Sequence, residues 1–222
     1  VNVCELPFWA MTVYYAWQST KNKKNINFIL LGIFAGLGFL SKYLFVYLLL
    51  ALVFFITFYS FKSKKLNFKY LLAIVFFFIT ISPHLIWLVQ NNFVTIFYGL
   101  NRTGLENSNL LDHLINPIIF ISKQILVILP GLLLLTTLIK KFKYKFKIKD
   151  FKLVFLIMIN FIPIILVLLT SIFTGAKIRT MWMTPFYLFL GLFLIYLLKE
   201  QINFKKIKLF MYLFLFLFIL SP

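Results

Sequence analysis

Acidic residues are scarce in this chain: five Asp and Glu stand against 23 Lys and Arg, leaving a formal net charge of +18. Charge of either sign is thin, at 13% of residues, where a soluble domain carries about 25%. A single cysteine, Cys4, excludes an internal disulfide and any multi-cysteine metal centre, and reads as a small buried apolar residue. No Walker phosphate loop, HExxH or GxSxG pattern occurs, which argues against a soluble-type nucleotidase, a zincin or a serine hydrolase. Apolar residues fill the space these absences leave: 63% of the chain is hydrophobic and 20% aromatic, with a mean hydropathy of +0.99. A water-soluble globule has no means of burying so much apolar surface.

The apolar residues come in long blocks, such as Leu44 to Tyr59 and Leu153 to Thr170, which approach the ~17–25 residues a helix needs to cross the hydrocarbon layer. The strict alternation of a barrel strand is missing, so helices are the spanning element. The pattern predicts an all-α, polytopic transmembrane helix bundle of about eight helices, near 6–19, 27–40, 42–59, 70–89, 117–139, 153–173, 182–198 and 209–220, in a single transmembrane domain over 1–222. The first two and the last are short for a full span, which calls for tilt, local thinning or a truncated end. Gly32, Gly36 and Gly38 put small residues in the second helix at a spacing that permits close helix contact. The chain opens at Val1 inside an apolar segment and stops at Pro222 just after another, which reads as a fragment.

So basic a protein invites a nucleic-acid reading, and the position of the cations decides against it. Taking alternate connections as one side, Lys21, Lys23 and Lys24, then Lys62, Lys64, Lys65 and Lys69, then the seven lysines from Lys140 to Lys152, then Lys199, Lys205, Lys206 and Lys208 account for 18 of the 23 cations. The positive-inside rule makes those connections cytoplasmic and puts Glu5, the Ser41/Lys42 turn, the Asn91–Asn116 loop and the Thr174–Met181 loop outside. The Lys140–Lys152 run, interleaved with Phe and Tyr, reads as a solvated loop near anionic headgroups.

The charges on or near the outer half are Glu5, Lys42, Arg102, Glu106, Asp112, Lys123, Lys177 and Arg179. Ionisable groups at membrane depth are costly and by default mark function, so the cluster predicts a site for an anionic group at the outer surface. Lys42 joins two apolar helices with almost no loop, where its ammonium either snorkels to headgroups or points inward to a phosphate. Lys177 and Arg179 offer a point charge and a bidentate fork to one phosphate, or else anchor the interface beside Trp182. Glu5 either caps its helix or presents a carboxylate to a metal, a sugar hydroxyl or an acceptor. His84, Trp87, Asn91 and Arg102 are candidates to line the same cavity, against the plainer readings of a buried imidazole and interfacial residues. Asp112 and His113 are adjacent, and so point apart on a helix and make a poor catalytic pair.

Several stretches resemble polytopic glycosyltransferases of the GT-C class, in particular the bacterial branch similar to protein mannosyltransferases (glycosyltransferase family 39) and the lipid A aminoarabinose transferase. Gly32-Ile-Phe-Ala-Gly-Leu-Gly-Phe-Leu-Ser-Lys42-Tyr resembles the family's glycine-bearing helix ending in a Thr/Ser-Lys turn. Ser82-Pro-His-Leu-Ile-Trp87 and Gln90-Asn-Asn-Phe-Val-Thr95 resemble its Pro-x-x-x-Trp helix end and the start of an outer loop. Ser122-Lys-Gln124 with Pro130-Gly-Leu-Leu resembles the next helix, and Arg179 to Pro185 the Arg-x-x-(aromatic)-x-x-Pro start of a later one. Glu5-Leu-Pro is similar to an Asp-x-Pro/Leu start, with Glu in place of Asp.

The resemblance implies transfer of a sugar from a polyprenyl-phosphate donor to a lipid, glycan or protein acceptor on the outer, periplasmic face of a bacterial inner membrane. It implies that Lys42, Lys177 and Arg179 hold the donor phosphate, that Glu5 contacts the sugar or a divalent cation, and that the general base lies upstream of Val1. Membrane lipids are the expected surroundings and nucleic acid is not an expected partner. A transporter or lipid flippase would also want charges facing a cavity, but would favour helix breaks in matching halves, and Pro130 and Pro163 have no second-half echo. A non-catalytic membrane assembly subunit would need no more than packing helices and a basic face.

Overall fold

The computed structural model describes residues 2–64, 67–104, 109–139 and 150–220. The run from Lys140 to Lys149, Lys65 and Glu106 lie outside the described residues. The described chain is an all-α membrane helix bundle: α1 (Asn2–Lys21), α2 (Asn25–Ser41), α3 (Val46–Ser63), α4 (Tyr70–Gln90), α5 (Val94–Arg102), α6 (Asp112–Leu138), α7 (Phe151–Thr174), α8 (Leu190–Leu198) and α9 (Ile207–Leu220). Short 3₁₀ stretches, Tyr43–Phe45, Thr180–Tyr187 and Phe204–Lys206, lead into α3, α8 and α9.

Each of the eight apolar blocks is helical, but fewer are long and apolar enough to cross a bilayer. Four qualify among the described residues: Tyr43–Ser63, α4, α6 and α7; a fifth is formed if Thr180–Tyr187 and α8, bent by 47°, make one broken span. The 17 residues of α2 fall short, and α1 is diluted by Glu5, Thr12, Gln18 and Ser19. Eight full crossings are therefore more than these helices establish.

Four local expectations need correction. The segment 182–198 is broken rather than one helix, because Pro185 lacks an amide hydrogen and its ring crowds the carbonyl four residues back. The Asn91–Asn116 connection holds α5, launched by a turn in which Asn92 and Phe93 both take left-handed backbone, φ 51° and 55°; asparagine tolerates this region, whereas a bulky residue there is strained. Cys4 is exposed rather than buried. α6 also begins at Asp112, five residues before the expected start, with the acidic side chain in the first turn where the helix dipole favours it.

Between helices in lipid, close packing replaces the hydrophobic effect as the organising force. α2 presses against α4 and α1, and its glycines make this approach feasible: a Cβ on Gly32 would overlap the Ala73 carbonyl, and one on Gly36 would lie 2.6 Å from the Thr80 Cβ. The core is aromatic. Trp9 is buried between Phe45 and Phe186, with ring centroids 5.4 and 5.0 Å away, and Phe55 meets Phe155 at 4.7 Å. The large apolar residues left exposed along α4, α6 and α9 form the lipid-facing surface.

The connections sort onto two ends as the charge pattern predicts. At the basic end Lys69 Nζ donates to the Lys23 carbonyl (2.7 Å), Tyr59 to Thr20 (3.2 Å), and the Asn203 amide to Leu138 (2.8 Å). At the other end the Lys177 amide donates to Thr103 (3.0 Å) and the Asn116 side chain to Gly175 (2.7 Å). Single cysteines at Leu110 and Lys205, in a Cys4→Ser background, are expected to react with an impermeant thiol reagent from opposite faces, Leu110 from outside. Reaction of both from one face would overturn the assignment.

Candidate functional site

The outer end of α1 begins the site. Glu5 lies in the first turn and is 0% exposed, one turn before Trp9 on the same helix face. Neither of its carboxylate oxygens has a hydrogen-bond partner. Its electrostatic partner is Lys42, which stands where α2 ends in extended backbone (φ −167°, ψ 130°) before the 3₁₀ turn that opens α3. Gly38 allows this tight passage: a Cβ there would strike the Phe45 ring, which folds back beneath it.

A third element arrives with the 3₁₀ stretch after α7. The buried side chains of Met183 and Phe186 seat it against α1, and Tyr187 hydrogen-bonds to the buried Gln124 of α6. Its half-buried Trp182 receives Lys42 Nζ and Arg179 Cζ, each 5.9 Å from the ring centroid, at the outer limit of a cation–π contact. One indole thus gathers cations from positions 42 and 179, and the buried carboxylate of Glu5 adjoins the first of them. Lys177 is exposed in the same short loop, with its amide tied to Thr103 at the end of α5.

Next to Lys42, the Tyr43 hydroxyl lies 2.7 Å from His84 Nε2 and 2.7 Å from Thr95 Oγ1. His84 stacks on Trp87 at 5.8 Å and 14°. The two candidates in the next segment stay close to home: Asn91 donates to the Trp87 carbonyl (2.8 Å), and Arg102 lies over Tyr98 of its own helix at 5.6 Å. Tyr43 and Trp182 are the residues that sequence reasoning passed over. Tyr43 follows Lys42 directly, and Trp182 is three residues past Arg179, so both were in view as neighbours of chosen residues.

The divalent-cation reading of Glu5 fits poorly. No group of three His, Cys, Asp or Glu side chains comes together among the described residues, and the charge beside Glu5 is an ammonium. A lone carboxylate next to a cation suits a hydroxyl or a second cationic group better than a metal ion needing several oxygen ligands.

The long apolar helices and their lipid-facing surface define an integral, multi-pass membrane protein. Residues 1–87 match the model of a family described as dolichyl-phosphate-mannose-protein mannosyltransferase. That stretch carries Glu5-Leu-Pro7, Gly32 to Tyr43 and Ser82 to Trp87, so this part of the GT-C resemblance stands, and it points to a membrane glycosyltransferase of that type. The segments about Gln124 and Arg179 lie beyond the matched residues. No curated protein matches the chain, and no solved structure does.

Proposed function

We propose that this chain is part of a membrane glycosyltransferase that moves a sugar from a polyprenyl-phosphate donor to an acceptor on the outer face of a bacterial inner membrane. The observation that carries this reading is the convergence of Lys42 and Arg179 on Trp182 beside the buried Glu5, within and next to a stretch similar to the mannosyltransferase family. The reaction is a displacement at the anomeric carbon: the acceptor hydroxyl gives its proton to a general base that is none of the residues named here, its oxygen forms the new bond to that carbon, and the bond from that carbon to the phosphate oxygen breaks. The lipid phosphate leaves with the electron pair. Lys42, Lys177 and Arg179 neutralise that leaving group, where fixed cations in a partly dry site act more strongly than in water. Glu5, its oxygens free of hydrogen-bond partners, accepts from a hydroxyl of the donor sugar. His84 and Trp87 border the region through Tyr43, and the aromatic face of Trp87 suits the apolar face of a sugar ring.

Membranes holding the full-length protein are expected to convert a labelled polyprenyl-phosphate sugar into acceptor-linked sugar and free polyprenyl phosphate. A transporter or flippase would move the donor with its sugar–phosphate bond intact. Finding only intact donor on the far side would replace the enzymatic reading.

A further inference from the structure

The basic end of the bundle contains a cavity that the transfer chemistry does not use. It has a volume of about 600 Å³ and lies between the last turns of α1 and α3 and the first turn of α7. Lys21, Lys62 and Lys152 line it, one from each of these helices, over a floor that includes Trp17, Phe55 and Tyr59. Aromatic rings hold two of the cations in place: Lys21 Nζ lies 5.2 Å from the Trp17 centroid, and Lys62 Nζ lies 4.4 Å from that of Phe151.

The acid in this lining, Asp150, is already committed. Its Oδ1 accepts the amides of Lys152 and Leu153 at 3.0 and 3.4 Å, capping α7, and its Oδ2 accepts the Tyr196 hydroxyl at 2.6 Å. Those bonds, the tyrosine's foremost, hold its carboxyl below the usual aspartate range, so it stays ionised as a helix cap. Lys152 meanwhile sits in the first turn of α7, where the helix dipole disfavours a cation. Three lysines and the N-terminus of α7 therefore border one cavity, and its acid, on which Lys152 acts, already has both oxygens engaged. The lining suits an anionic group, and its position at the end of three helices, over an aromatic floor, is where a lipid phosphate would lie.

We propose that this cavity binds a phosphate group, carried by an anionic phospholipid of the leaflet at the basic end, with Lys21, Lys62 and Lys152 around the phosphate and Trp17 and Tyr59 against the glycerol and upper acyl chain. This site is separate from the outer cluster and does not depend on the transferase reading.

The test uses full-length protein in detergent, titrated with phosphatidylglycerol, phosphatidylcholine or soluble glycerol phosphate, reading the thermal midpoint and the lipid retained in native mass spectrometry. Saturating phosphatidylglycerol is expected to raise the midpoint by about 5–10 °C. Lys62→Gln with Lys152→Gln should lose most of that rise and the retained lipid, while Lys205→Gln with Lys206→Gln, which removes the same charge from an exposed turn at the same end, should keep both. An equal rise with phosphatidylcholine, or an equal loss in the Lys205/Lys206 pair, would overturn the proposal in favour of ordinary surrounding lipid or diffuse charge. A rise with glycerol phosphate as large as that with lipid would uphold the phosphate site and assign it a water-soluble ligand. Retention of lipid by the Lys62/Lys152 pair would reject the site even if that variant were less stable in the absence of lipid.

Discussion

Arg179→Lys in the full-length protein is expected to lower sugar transfer about ten- to a hundredfold, with expression and membrane insertion unchanged. The two side chains carry the same charge, so the effect isolates geometry. Guanidinium presents a planar fork to two phosphate oxygens and stacks flat on an aromatic ring, whereas ammonium is a strongly hydrated point charge. Arg179 has such a ring in Trp182, 5.9 Å away, and Lys42 occupies the same distance from it. The site thus already holds one point charge, and a second would not replace the fork. Arg179→Ala should be slower still, because the departing phosphate then loses a partner altogether. If Arg179 merely anchors the interface, Lys restores full activity, since a lysine snorkels as well as an arginine. Transfer from a polyprenyl-phosphate sugar, with protein level matched by immunoblot, separates the two readings, and wild-type turnover by the Ala variant would remove Arg179 from the mechanism.

Much of this arrangement was legible in the sequence because lipid imposes simple rules. Long apolar blocks must be helices, since lipid offers no partners for stray backbone groups. Lysines cluster at one end of the bundle, and the hydrogen bonds from Lys69 to Lys23 and from Asn203 to Leu138 join connections that the charge pattern had assigned to the same side. The convergence of positions 5, 42 and 179 was expected from sidedness and the cost of charge beside lipid, not from any local motif.

What stayed hidden depended on contacts between distant segments. Nothing near Trp182 announces that its ring will meet Lys42, because that contact depends on how the 3₁₀ stretch docks on α1 through Met183 and Phe186. α5 escaped notice because its nine residues are too few to span and sit inside a polar connection, and its entry turn uses Phe93 in a conformation that bulky residues seldom adopt. The eight apolar blocks were read as about eight helices because apolarity shows where a helix meets lipid but not whether it traverses it; the 17 residues of α2 span only about 26 Å at 1.5 Å per residue.

The glycines of α2 carry the second large expectation, one in which the same substitution reverses sign with position. Gly→Ala inside a helix is worth about 1 kcal/mol in favour of alanine when the new methyl meets nothing. Gly131, within α6, has no atom within 4 Å of a would-be Cβ, so Gly131→Ala should raise the thermal midpoint by about 2–4 °C. At Gly32 the new carbon collides with the Ala73 carbonyl and lies 3.0 Å from both the Ala73 carbonyl carbon and the Phe76 Cβ. A backbone carbonyl cannot rotate away as a side chain can, so α2 and α4 must separate. Overpacking of this kind costs about 1–3 kcal/mol, which exceeds the propensity gain, and Gly32→Leu should prevent assembly of the pair. The separation also reaches the outer end, because α2 ends at Lys42 and α4 carries His84, whose ring nitrogen lies 2.7 Å from the Tyr43 hydroxyl. Gly32→Ala is therefore expected to lower both the midpoint and sugar transfer, although the residue lies far along α2 from the site. Midpoints for Gly32→Ala and Gly131→Ala measured side by side in one detergent decide the matter: if both rise, α2 and α4 are not in the close contact described, and the placement of Lys42 must have another cause.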